Sequence, residues 1–358
     1  MLFVSCLICC ERMLLLDEHE VQEYISSIMD YSFYFGDGKK ESVNKSVLDL
    51  NMEEVYKVVT SSKFRKSKLS NEVILDIKEK LSSFIQDKKP LQFSVPFGAY
   101  KSYKFDLDFM PDWAEVFNVS YLLKYAVEIL KIYPYGVRFY YTYSADIMNV
   151  VSDIPRDKLT RYSTQFKTIL QMFNSITPDV QFELITINSL YKSDADFYSD
   201  FLEAFLHNLV FWERKYEENI RERHLKSAKR NLYPYGKHQI SKFEQSDIDR
   251  CYYLSALMTD AVDCLSERRK YNKNSDKIQL VGVKGPTKSI NIGACETSTV
   301  HFWVSRGCLQ YNKGRIKPYI YTYSKLKAID DSRLIEYHVE SEFSALSENF
   351  NNILFIKE

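Results

Sequence analysis

Asp112 and Glu115 stand three residues apart at the start of an amphipathic stretch, and Lys101 and Lys104 precede them in one loop. Carboxylates so placed can move protons or anchor an amine. Lysines near a helix N-terminus can hold a phosphate or a carboxylate. The Asp-x-x-Glu spacing is also a capping arrangement, so one residue can begin the helix while its neighbour faces a pocket. Arg138 lies inside an apolar run, where a charge needs a structural carboxylate or an anionic substrate. A second polar stretch, 283–307, carries Glu296, Thr297, Ser298 and Thr299 with the cations Lys284, Lys288 and Arg306. Gly285 and Gly293 allow close backbone approach there. It reads as a phosphate or carboxylate pocket, or as a polar edge hairpin. Cys295 adjoins Glu296, but no histidine is positioned to activate it, and a small buried thiol is expected.

Composition narrows the classes. Lys+Arg and Asp+Glu are equal at 48 each, so no global basic field marks a nucleic-acid binder. The local basic segments are KFRKSK (63–68) and RERHLKSAKR (221–230). There is no glycine-rich dinucleotide loop, P-loop, zincin helix or nucleophile elbow. The six histidines are scattered, and of the seven cysteines only Cys6 and Cys9 form a CxxC pair. Structural zinc normally declares four ligands in paired clusters. No metal and no cofactor are expected, and the thiols suit a reducing cytoplasm. The apolar first sixteen residues lack a basic flank and a cleavage site. An upstream start codon, with Met13 as the alternative start, is the expectation. No stretch reaches the ~18 apolar residues of a membrane span.

The elements that must position these residues follow from periodicity. Residues 1–90 read as a helical region, with helices over Glu18–Asp30, Ser42–Ser61 and Asn71–Gln86. Phe93–Phe97 reads as a strand, Asp112–Ile132 as a helix and Val137–Tyr143 as a strand covered on both faces. A helix from Pro155 to about Phe173 and a strand over Val180–Asn188 repeat the rhythm. Alternation of this kind predicts an α/β fold with a mostly parallel sheet. Long helices are expected over 193–230 and 244–270. From about 277 the period shortens, and a β-rich lobe should extend the sheet or form an antiparallel layer.

The central stretch resembles the pyoverdine/dityrosine biosynthesis family, which includes the amino-acid isonitrile synthases. Carrying the resemblance are Pro96-Phe97 with Lys101, Pro111-Asp112 with Glu115, Ile132-Tyr133 with Gly136, the following strand, and Tyr162. It spans Phe93 to Phe173. The chain has Ser144-Ala145-Asp146 where the family tends to have Ser-Asp-Gly. It has Thr299-Val300-His301-Phe302-Trp303 where a Thr-Pro-Trp-His element is usual. The resemblance implies a Rossmann-like catalytic domain over 91–358. It implies conversion of an amino acid's α-amine to an isonitrile, with a phosphorylated pentulose as one-carbon donor. On that basis Asp112, Glu115 and Asp146 would move protons. Arg138 or Arg306 would hold a carboxylate, and Lys101, Lys104 or Lys288 a phosphate. The alternatives are an aminoacyl-tRNA-dependent peptide-bond former of the cyclodipeptide synthase type, with tRNA as partner, and a metabolite-sensing module without turnover.

Overall fold

A run that buries Leu91, Phe93 and Val95 forms strand β1 (Leu91–Pro96), the middle of a parallel sheet. Its partners are β2 (Val137–Tyr143) and β4 (Ile278–Val281); β3 (Val180–Thr186) and β5 (Ile290–Asn291) lie outside them. The order is β3-β2-β1-β4-β5, and every pairing is parallel. The chain thus builds outward from β1 in one direction, then returns to build in the other. That reversal is the Rossmann-like arrangement, and ligands of such sheets bind where the order reverses, beyond the strands' carboxyl ends. The computed structural model describes residues 18–35, 50–143 except 106, 148–149, 154–190, 193–215, 277–283 and 289–357 except 313. The later part of the helix expected over 193–230, the helix expected over 244–270, and the opening apolar segment lie outside the described residues.

The helices begin where side chains can cap them. In α1 (Glu18–Ser27), Val21 and Ile25 face inward. The helix α2 (Met52–Val59) starts at Asn51, whose side chain accepts from the Glu53 amide. It lies within the stretch Ser42–Ser61 that periodicity suggested, of which residues 42–49 lie outside the described residues. Ser70 caps α3 (Asn71–Asp87) in the same way. Asp112 caps α4 (Trp113–Leu130), and Gly136, at φ +91°, turns the chain into β2. α5 (Arg156–Ile176) and α6 (Asp194–Lys215) follow.

α4 is buried on almost every side, from Trp113 through Tyr121 to Ile129. A helix apolar all round belongs in an interior, and α4 lies between two sheets. Tyr125 meets Phe93 of the parallel sheet at 5.6 Å between ring centroids. On the other side Trp113 meets Phe343 and Phe350. These belong to a second layer built on β6 (Ser305–Asn312), β7 (Arg315–Thr322), β8 (Leu334–His338) and β9 (Asn352–Ile356), ordered β7-β6-β9-β8. The C-terminal region therefore does both things expected of it: β4 and β5 extend the parallel sheet, and β6–β9 form a mixed sheet of their own. Within this β-rich region the chain forms a 3₁₀ turn at Phe302–Val304 that leads into β6. One continuous core joins Val21 and Leu81 to Phe139 and Ile353, so the N-terminal helices share it with the sheets.

β6 approaches α4 at Gly307. A Cβ there would overlap the Ala114 amide nitrogen and the Trp113 carbonyl carbon. Gly307→Ala must push helix and sheet apart. It is expected to lower stability at the upper end of the ~1–3 kcal/mol range for overpacking, read from the urea midpoint.

Candidate active site

The loop after β1 returns Lys101 beneath the start of α4, where its side chain is fully buried. Its ammonium donates to Asp112 Oδ1 at 2.8 Å and to Glu115 Oε2 at 2.7 Å. It also donates to the Ser305 carbonyl at 2.9 Å, and the Phe302 carbonyl lies at 3.4 Å. An ammonium has three donors, so this one is satisfied within the chain. The capping box expected from sequence is formed: Asp112 Oδ1 accepts from the Ala114 amide, and Glu115 Oε2 accepts from the Asp112 amide. Asp112 Oδ2 takes the Gly307 amide of β6 at 3.3 Å. The Tyr162 hydroxyl of α5 donates to Glu115 Oε1 at 2.8 Å. Residues of four separate segments thus meet in one sealed polar cluster.

Burying one cation with two carboxylates leaves an excess negative charge, which a low-dielectric interior resists. A proton on Glu115 removes it. Burial pushes the Glu115 carboxyl up to about 8; Lys101 opposes the rise and Asp112 adds to it. Burial, with Glu115 beside it, also keeps the Tyr162 hydroxyl protonated well beyond its ordinary range. The contact between them can therefore run in either sense, phenol to carboxylate or carboxylic acid to phenol oxygen. The hydrogen bond between them therefore persists in either protonation state of Glu115.

The sign for stability follows. Glu115 binds its proton more tightly folded than unfolded, where its ordinary value is 4.5. Its contribution is complete below that value and is lost as pH rises through about 8, so stability falls across the window. Glu115→Gln should flatten this part of the slope, measured as urea midpoints at roughly pH 5 and roughly pH 8.

A second buried chain of hydrogen bonds adjoins the first. The Tyr141 hydroxyl of β2 donates to Asn118 Oδ1, and Asn118 Nδ2 donates to the Ala294 carbonyl, each at 2.7 Å. Together with Tyr121, which donates to the Ile292 carbonyl at 3.0 Å, it pins α4 to the 292–298 segment.

The remaining candidates lie elsewhere. Arg138 is exposed, because β2 alternates at that end and turns residue 138 away from the core. Its run is apolar in sequence but two-sided in space, which corrects the expectation of a strand covered on both faces. Lys104 Nζ sits 5.7 Å from the Tyr323 ring centroid. Glu296 bridges Lys317 at 2.8 Å and Lys124 at 3.2 Å on the surface. Thr297 donates to the Pro318 carbonyl at 2.6 Å, and Arg306 pairs with Glu336 at 3.4 Å. Cys295 is buried, and burial raises its thiol above the ordinary range. Asp146 and Lys288 lie outside the described residues. Asn118 and Tyr141 were not among the sequence candidates. A polar residue on a nearly all-apolar helix and a tyrosine in a buried strand were the available signals, since buried polar atoms need partners.

The chain folds like the PvcA protein from Pseudomonas aeruginosa. The TM-score is 0.58 at 12% identity, and the match covers 85% of this chain and 99% of PvcA. At that identity the likeness to PvcA is one of fold. No family model matches the chain, and no curated protein matches it in sequence. No helix among the described residues is long and apolar enough to cross a membrane. Among the same residues no cluster of histidine, cysteine or carboxylate side chains is placed to hold a metal ion.

Proposed function

We propose that this chain is a small-molecule biosynthetic enzyme of the isonitrile-synthase type, acting on the α-amine of an amino acid with a phosphorylated pentulose as co-substrate. One observation carries the proposal. Lys101, Asp112, Glu115 and Tyr162, which bear the sequence resemblance, come from three separate segments and form one hydrogen-bonded cluster beyond the carboxyl end of the central strand. The fold shared with PvcA supports it. Condensing an amine with a sugar carbonyl expels water. It needs an acid for the departing hydroxyl and a base for the proton on nitrogen. A carboxyl whose pKa is raised to about 8 suits both tasks near neutral pH. In this assignment Glu115 stores the proton, Tyr162 passes it on, and Lys101 with Asp112 fixes the carboxyl in place.

The tRNA-dependent alternative needs a free basic face. The KFRKSK segment is occupied: Arg65 donates to the Thr60 and Ser67 carbonyls, Lys63 pairs with Glu128, and Lys66 donates to the Glu296 carbonyl. The other basic segment lies outside the described residues. Purified protein incubated with pooled amino acids and ribulose 5-phosphate, and separately with charged tRNAs, decides by mass spectrometry. A new product only with the sugar phosphate supports the proposal. A product only with charged tRNA transfers the assignment to the alternative, and none from folded protein in either arm leaves a binding module.

A further inference from the structure

The candidate site is shut. Lys101, Glu115 and Tyr162 are each 0% exposed, and Asp112 is 2% exposed. A cluster that handles a substrate's protons must at some stage be reached, so one of its walls has to move. The loop between Gly98 and Pro111 is built to do so. Its packing is its own: Tyr100 and Phe109, near its two ends, form a small apolar cluster with Ile154 and Leu159, separate from the continuous core that joins helices and sheets. Satellite clusters of this kind lie under long loops, and segments with few buried apolar contacts open at lower free energy than the core. The backbone is bent where such a loop would hinge. Ala99 (φ 54°) stands at one end, and Asp108 (φ 42°) and Phe109 (φ 62°) at the other. That conformation is unfavourable for residues other than glycine, so closure holds strain that opening releases.

Three kinds of contact hold the loop down. Lys101 is the deep one, joined to both carboxylates and to the Ser305 carbonyl. At the rim, Asn349 Nδ2 donates to the Leu107 carbonyl at 3.1 Å, and Phe105 meets Tyr323 edge to face at 5.7 Å between centroids. The third is ionic. Asp108 is bonded by Lys158 Nζ and by Arg161 Nη1, the latter at 3.1 Å, and both cations stand on α5 one turn apart. The Asp108 side chain is 57% exposed and that of Arg161 is 53% exposed. Exposed pairs add little to global stability. Their effect here is local: they tie a strained corner of the loop to the helix that carries Tyr162.

We infer that the loop between Gly98 and Pro111 is a strap over the cluster, latched by Asp108 to Lys158 and Arg161, and that its opening withdraws Lys101 and uncovers Glu115 and Tyr162. The strap's role in admitting substrate rests on the proposed function, whereas its opening is measured without substrate. Amide hydrogen exchange, followed by NMR on the full chain, tests it. Asp108→Asn tolerates the same backbone conformation and removes only the charge. Two amides report on the cluster: Asp112, which donates to Glu115, and Gly307, which donates to Asp112. Their exchange should quicken about 3- to 10-fold in the variant, the scale of two exposed ion pairs, while the amides of β3 and the urea midpoint stay unchanged. Raising the salt concentration should bring the wild type to the variant's rates and leave the variant where it is. The double variant Lys158→Met, Arg161→Met should reproduce Asp108→Asn from the α5 side. Equal exchange in the wild type and Asp108→Asn overturns the strap, as does a rise shared by β3 with a fall in the urea midpoint. Either result can stand beside product formation in the mass-spectrometric assay, so the strap and the reaction fail separately.

Discussion

Lys101→Met is expected to destabilise the folded chain by about 3–5 kcal/mol, the usual cost of removing one partner from a buried ion pair. Methionine fills the same volume, so the loss is electrostatic. Asp112 and Glu115 would be left facing each other in a dry interior, and the Ser305 carbonyl would lose its donor. The chain can soften this by protonating both carboxyls. The variant should accordingly recover stability as pH falls, and a second change, Glu115→Gln, should return part of the loss. Coupling of this kind is expected of side chains in direct contact. Denaturant midpoints of the two single variants and the double variant measure it. Additive losses would show that Lys101 and Glu115 are independent and that the cluster is not a unit.

Glu115→Gln is expected to cut turnover by about 10²–10⁴-fold, the range for losing a general acid–base. The variant keeps the cluster's contacts. Its amide oxygen can accept from Lys101 and from the Asp112 amide, and its amide NH₂ can donate to the Tyr162 oxygen. Only the exchangeable proton is gone. Single-turnover rates with the sugar phosphate, measured beside the denaturant midpoint, separate the roles. Near-normal turnover with a modest fall in stability would reduce Glu115 to the second half of a capping box.

The start of α4 was legible because capping is local: Asp112 and Glu115 declare it within four residues. The burial of Lys101 was not. The loop folds back through Ala99, Asp108 and Phe109, all at positive φ although none is glycine, and of these types only aspartate favours such a conformation. A loop lysine reads as solvated until that reversal is known. Arg138 was misjudged for a different reason. A one-dimensional run rich in tyrosine looks apolar throughout, while half of its positions belong to a face that is polar. β6 escaped notice because Arg306, Gly307 and Gln310 break any apolar alternation. Gly307 is there to let the strand reach the backbone of α4. The parallel sheet was expected from the alternation of elements. Its reversal around β1 was not, since periodicity says nothing about the side on which a returning strand docks.

The placement of β1 between β2 and β4 also governs the order in which the molecule can assemble. β2 follows β1 closely and can pair early, but β4 begins at Ile278 and the carbonyls that receive Lys101 at Phe302 and Ser305. Contacts of such sequence separation slow folding, because loop closure must precede the energy they release. During synthesis β1 would emerge with one edge unpaired, and the lysine and its carboxylates would stay hydrated until the last fifth of the chain had left the ribosome. A fragment ending near residue 215 would keep that open edge indefinitely, and exposed strand edges recruit other strands. Chaperone dependence and inclusion-body formation by truncated forms would then trace to the sheet's central strand rather than to any weakness of the core.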